Sequence, residues 1–222
     1  MSDFQDILLE KPGDFFDLCM DKDDVITDLT AKLTWKSRVG ETFDGDLIIP
    51  QQVQIGYRED NTIISCLFEK SGANIAYFGN RVTKDGAISL DKDDRGTTGE
   101  GAESAHILLD KVASPAVTEI PIIATIFGAA ENGGQSWGGM EAVLTLIDNK
   151  TGKPCCHYNL GQQFANNDTV IAGALVRSKA AQGEPGRTDW RFCIIGTGFT
   201  SAPRKLMEIL RANWSETPVR GL

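Results

Sequence analysis

Lys84-Asp85-Gly86-Ala87-Ile88-Ser89-Leu90, Asp91-Lys92-Asp93-Asp94-Arg95-Gly96-Thr97-Thr98-Gly99-Glu100-Gly101-Ala102-Glu103 and Ala105-His106-Ile107-Leu108-Leu109 follow one another along the chain. The first stretch opens on an Asp-Gly turn and runs into a short strand, and the third reads as another strand. The stretch between them carries five carboxylates in thirteen residues, interleaved with glycines. Glycine tolerates positive φ, so the backbone can turn sharply there and bring several acidic side chains toward one point. An EF-hand frame starting at Asp91 fits at Asp93 and Gly96 but meets Arg95 and Ala102 where oxygen ligands belong. Its flanks are strands where an EF-hand needs helices. Two readings of the loop stay open: a solvated acidic hairpin end, or a set of oxygen donors for a hard cation such as Ca²⁺, which takes about six to eight oxygen ligands.

Outward from this hairpin the β pattern repeats. Residues 29–35 alternate apolar and polar, as do 53–57, and 62–68, 74–78, 119–127 and 142–147 are short apolar runs. Pro50 makes 47–49 a strand end or an edge, and Pro121 sits near the start of its strand. Residues 170–176 and 190–196 read as the arms of a hairpin. Its tip, 178–189, is rich in Gly, Ala and polar residues and is expected to be mobile. Pro203 opens a helix over 204–212. About nine to eleven short strands and one helix predict an all-β chain, a β-sandwich of two mainly antiparallel sheets with a short C-terminal helix.

The chain has 222 residues, 41% of them hydrophobic, enough for a sizeable core in a single domain over 1–222. A net charge of −9 argues against nucleic acid or an anionic membrane surface as partner and is compatible with cations or basic partners. Five cysteines, an odd number with only Cys155 and Cys156 adjacent, point to a reducing compartment. The acidic Met-Ser-Asp start does not resemble a signal peptide, and no apolar run reaches membrane-spanning length. These features predict a cytoplasmic protein, or one incorporated into a particle such as a phage, without direct membrane insertion.

No local motif announces catalysis. His106 lies inside a strand pattern as a core or rim residue, and Cys155-Cys156-His157 in direct sequence does not set out a tetrahedral zinc site. Gly152-Lys-Pro lacks the glycine spacing of a phosphate loop, and Gly99-Glu-Gly101 puts negative charge where phosphate would sit. Trp137, in the glycine-rich loop 132–139, is either an exposed contact aromatic or a tryptophan folded over a sheet end. No nucleophile and base cluster in the sequence, so the protein is not expected to be an enzyme.

Taken in order, the segments resemble the TerD family, the tellurium-resistance and stress-response proteins of bacteria and their phages. Leu9-Glu-Lys-Pro-Gly13 resembles the family's Leu-x-Lys-Gly-Gly opening, and 29–35 its strand ending in Gly-Trp-Asp. Tyr77-Phe-Gly-Asn80 is similar to Tyr-Asn-Asn, and Lys84 to Leu90 to the Ser-Asp-Gly-Ser-Val hairpin. Asp93-Asp94-Arg95 falls on Asp-Asn-Arg, and Gly99-Glu-Gly-Ala-Glu103 on Gly-Asp-Gly-Asp-Asp. Gln135-Ser-Trp-Gly138 resembles Gln-Ser-Phe-Gly, Tyr158-Asn-Leu160 resembles Tyr-Asp-Leu, and Trp190-Arg-Phe with Gly196-Thr-Gly-Phe199 resembles Trp-Lys-Phe and Gly-x-Gly-Tyr. The likeness spans a core of about residues 7–212.

The resemblance implies a β-sandwich that binds Ca²⁺ through acidic loops. It points to Asp93, Asp94, Glu100 and Glu103, and to Asp44 and Asp46 through Phe43-Asp44-Gly-Asp46, which matches the family's Phe-Asp-x-Asp. About a dozen extra residues then separate this motif from the next buried strand, and an alternative alignment uses Asp60 instead. Ala102 and Ser104 stand where the family has carboxylates, and Gly96-Thr-Thr98 replaces Thr-Gly-Glu. Each lost carboxylate weakens Ca²⁺ binding. Two functions follow as expectations. One is a Ca²⁺-binding stress-response module acting through protein–protein association. The other is a metal-poor structural or interaction subunit, self-associating or joined to other proteins in a larger assembly.

Overall fold

The computed structural model describes residues 6–21, 24–37, 41–57, 63–67, 74–92, 94, 96, 99–112, 114–138, 140–177 and 190–200. The expected helix over 204–212 and the hairpin tip over 178–189 lie outside them. In chain order the strands are β1 (Ile7–Leu9), β2 (Phe15–Asp17), β3 (Cys19–Asp21), β4 (Asp24–Val25), β5 (Asp28–Lys36), β6 (Gly45–Pro50), β7 (Gln52–Tyr57) and β8 (Ile63–Leu67). They continue as β9 (Ile75–Ala76), β10 (Ile88–Leu90), β11 (Glu100–Leu108), β12 (Val117–Ile126), β13 (Glu141–Asp148), β14 (Lys153–Asn159), β15 (Thr169–Arg177) and β16 (Trp190–Phe199). Among the described residues no helix is long and apolar enough to cross a membrane.

All but β3 and β4, which pair with each other, join two large sheets. The first runs β1-β14-β13-β5-β11-β10, and the second β2-β16-β15-β12-β6-β9, with β7 on β12 and β8 on β7. All pairings in both are antiparallel except that of β1 with β14. Leu29, Ala31, Leu33 and Trp35 of β5 meet Leu47, Ile49, Ile120, Ile122 and Leu175 of the second sheet in one buried cluster. This is the sandwich that the sequence predicts.

The sheets differ in how they are covered. β5 alternates buried and half-buried residues, as a strand with one dry face must. β15 is buried almost throughout, because the second sheet is dry on both faces. Ile48, Ile123, Ile171, Val176 and Ile195 form a separate buried cluster on its far side. Register shifts at Ile122/Ile123 and at Ile171/Gly173 bend this sheet.

Among the described residues sixteen strands stand where the sequence predicts about nine to eleven, β14 among the additions, and one shifted boundary bears on the acidic loop. The second half of the acidic loop is not loop: Glu100 to Ser104 pair with Lys36 to Lys32 as the start of β11. The reason lies in β5. It is a central strand, bonded to β13 on its other side, and its full length needs partners for its N–H and C=O groups on both edges.

Candidate functional site at the acidic end of the sandwich

Trp35, near the end of β5, organises this end of the molecule. Its side chain is buried, and Nε1–H donates to the Phe43 carbonyl at 3.2 Å. Glycines let the chain pass close to the indole. A Cβ at Gly101 would lie 2.2 Å from Cζ2, and one at Gly45 would lie 3.1 Å from Cε3. Gly96 has φ +56°, and a Cβ there would come within 2.2 Å of the Phe43 carbonyl. Ser37 completes the clamp. Its N–H donates to the Gly99 carbonyl at 2.7 Å, and its hydroxyl lies 2.6 Å from the Glu41 carbonyl and 2.8 Å from that of Gly99. The two acidic segments, 41–46 and 91–103, therefore meet across one tryptophan.

Their carboxylates do not meet in the same way. Glu103 points between the sheets, 2% exposed, and its Oε2 accepts the Leu47 N–H of the opposite sheet. Glu100 points out to solvent, 2.8 Å from Lys36 Nζ, and that hydrogen bond holds its carboxyl below the ordinary value. Asp94 is exposed and turned back on its own loop, accepting N–H groups of Gly96 and Ala102, each at 3.1 Å. Asp46 is buried in β6 opposite Thr125. Strand alternation sends it with Ile48 to the far face of the second sheet, away from Leu47 and the space between the sheets. Asp44 is half-buried, and its carbonyl accepts the Phe127 N–H at 2.7 Å. Asp93 lies outside the described residues.

A Ca²⁺ ion needs about six to eight oxygens aimed at one point. Glu103, Glu100 and Asp94 instead face three directions and accept hydrogen bonds from amides or a lysine. Among the described residues no group of three or more His, Cys, Asp or Glu side chains is arranged to hold a metal. As they stand, Asp94, Glu100 and Glu103 do not converge on one Ca²⁺ shell.

Some features of this end escape a sequence reading. Nothing local marks Trp35 as a hub or Leu47 N–H as the partner of Glu103. The Lys36–Glu100 pair becomes visible only once β5 and β11 are set in register. His106 is a rim residue, with Nε2 2.6 Å from Asp28 Oδ1 on the solvent face of the first sheet. Trp137 is fully buried, the folded-over alternative of the two.

Fold and site together define a two-sheet β-sandwich whose acidic, glycine-rich end is braced by a buried tryptophan. A family model described as the TerD domain matches residues 12–210, and the chain belongs to that family, the tellurium-resistance proteins. Two solved structures share the fold. One is SAV2460, a protein of unknown function, at 17% identity and a TM-score of 0.59, covering 84% of this chain and 95% of its own. The other is a homologue of the telluride resistance protein TerD, SCO6318 from Streptomyces coelicolor A3(2), at 17% identity and a TM-score of 0.57, covering 82% and 95%. At that identity the likeness speaks for the fold alone.

Proposed function

We propose that this TerD-family chain is a non-enzymatic association module, a stress-response or assembly subunit whose acidic end is closed internally and not by Ca²⁺. The observation that carries the reading is Glu103, the buried carboxylate of the family-like acidic stretch, which accepts the Leu47 amide across the sandwich. Asp94 accepts amides of its own loop, and Glu100 pairs with Lys36 at the surface. Thiol chemistry is poorly served at the three buried cysteines among the described residues. Cys155, Cys156 and Cys193 are buried, and burial pushes their thiols up, to about 11 for Cys155 and about 12 for Cys193. Little thiolate is present at neutral pH under those conditions. In this reading the protein acts by binding other proteins or its own copies, in the cytoplasm or within a particle.

Melting the protein in chelator and in millimolar Ca²⁺ tests the metal-free part. The expected result is the same midpoint in both. A ligand at a hundredfold excess over its Kd adds about 2.7 kcal/mol, a rise of roughly 5–10 °C for a chain of this size. Such a rise, with saturable heat in a calorimetric titration, would establish the Ca²⁺ reading instead. That second reading is favoured by one observation, the meeting of the two acidic segments over Trp35. Light scattering across a wide concentration range tests self-association. A monomer throughout would leave only partners of other sequence.

A further inference from the structure

A cleft of about 450 Å³ opens between residues 41–43 and the glycine-rich loop 132–138. It belongs to the acidic end, but none of the six family-implied carboxylates lines it. Its walls are tied together by Gln135, whose Nε2–H donates to the Thr42 carbonyl at 2.8 Å. Several of the loop's own donors are turned inward. The N–H groups of Asn132, Gly134 and Gln135 donate to the carbonyls of Gly128 and Ala129, and that of Trp137 to Asn167. The Ser136 hydroxyl donates to the Ala165 carbonyl at 2.8 Å.

Two acceptors stand out for a guest, Gln135 Oε1 and the Glu41 carboxylate. Among the described residues Gln135 Oε1 is buried and meets no hydrogen-bond donor, so it is an acceptor left for a donor from outside. Glu41 is the one charged residue of the lining among the described residues, and its side chain is exposed. Among the described residues no Lys, Arg or His lines the cleft, and the whole chain carries −9. A negative, acceptor-rich concavity concentrates cations. One carboxylate is too few for a Ca²⁺ shell. A guanidinium suits the site better: it is planar, always charged, and offers about five N–H donors in a fork that matches a carboxylate. The cleft is larger than a guanidinium and falls within the usual size range of ligand sites, so it can seat a whole side chain with its flanking backbone.

We infer that the cleft between residues 41–43 and 132–138 receives an arginine side chain from a partner protein, with Glu41 as counter-charge and Gln135 Oε1 as second acceptor. This rests on the reading of the chain as an association module and gives the partner's contact its chemistry. A second copy of this chain is a poor guest at this end, because two acidic ends repel.

The test is a ¹H–¹⁵N NMR titration of the full chain with N-acetyl-arginine-N-methylamide, against the neutral citrulline analogue. Saturable shifts are expected at residues 41–43 and 132–136, with a dissociation constant on the order of millimolar for a single side chain. The citrulline analogue should bind about tenfold more weakly, as should arginine to the Glu41→Gln protein. Equal shifts from both analogues would overturn the inference, as would undiminished binding to Glu41→Gln or shifts scattered over the surface. CaCl₂ acting on the same amides at lower concentration than arginine would also overturn it and make the cleft a metal site. The melting comparison in chelator and Ca²⁺ is independent of this titration. A failed titration with unchanged melting removes the arginine cleft and leaves the metal-free module standing.

Discussion

Glu100 and Glu103 stand three positions apart on β11 and live in opposite environments. The outer one lies in solvent beside Lys36; the inner one is buried among the residues that join the two sheets and accepts a backbone amide. An odd spacing on a strand always sends two side chains to opposite faces. The sequence counts both as acidic ligands, yet a shared ion would need them to converge, and β11 forbids that. Charge density along a chain therefore says little about a site until strand parity is known. Inside, a carboxylate acts as a structural acceptor. Outside, the same carboxylate is one member of a screened surface pair.

The contrast is most easily broken at Glu103. Glu103→Ala deletes the acceptor, leaves the Leu47 N–H without it, and opens a void between the sheets. The expected loss is about 2–4 kcal/mol in urea unfolding. Glu103→Gln keeps an oxygen and nearly the same shape, and should lose clearly less. An alanine variant as stable as the parent would mean that the inner carboxylate is not structural at all.

Much of this was legible in the sequence, for particular physical reasons. β5 could be read because one dry face forces alternation, as its burial pattern repeats. The first strand of the hairpin, Ile88–Leu90, could be read from the Asp-Gly turn ahead of it. The start of β11 could not. Glu100-Gly-Ala-Glu103 has the composition of a loop and is held as strand only by the unpaired edge of β5. The acidic segments at 41–46 and 91–103 could be matched to one end of the sandwich by resemblance. The directions of their carboxylates could not, since these follow from register and from a tryptophan that the glycines at 45, 96 and 101 surround. The cleft beside Glu41 was invisible for the same reason: loops separated by ninety or so residues make it, and only folding sets them side by side.

A smaller effect sharpens the outer half of the comparison at the opposite end of the first sheet. Burial raises the Asp28 carboxyl, but hydrogen bonds from Asn149 and His106 and the imidazole charge outweigh it, so its pKa falls below the ordinary 3.8. A carboxyl depressed in the folded state stabilises above its unfolded pKa, and the contribution disappears as pH falls through the folded value. Urea midpoints should therefore drop between about pH 5 and pH 2, and Asp28→Asn should flatten that drop while changing little near neutrality. An unchanged acid limb in Asp28→Asn would show that the network carries no linkage.

The smallest effect belongs to Lys36. Nζ and the Glu100 carboxylate are 2.8 Å apart, but the two side chains are 60% and 64% exposed. Solvent and salt screen such a pair, and ordering two long side chains offsets most of what the contact gains. Lys36→Ala should leave the unfolding midpoint unchanged within error at physiological ionic strength, and a double-mutant cycle with Glu100→Ala should return no coupling. At low salt a small coupling should emerge, because the Debye length lengthens as ions are removed. If Lys36→Ala instead cost as much as Glu103→Ala, the pair would be clamping the start of β11 to β5. Outer and inner carboxylates would then be doing the same structural work, and parity would no longer separate them.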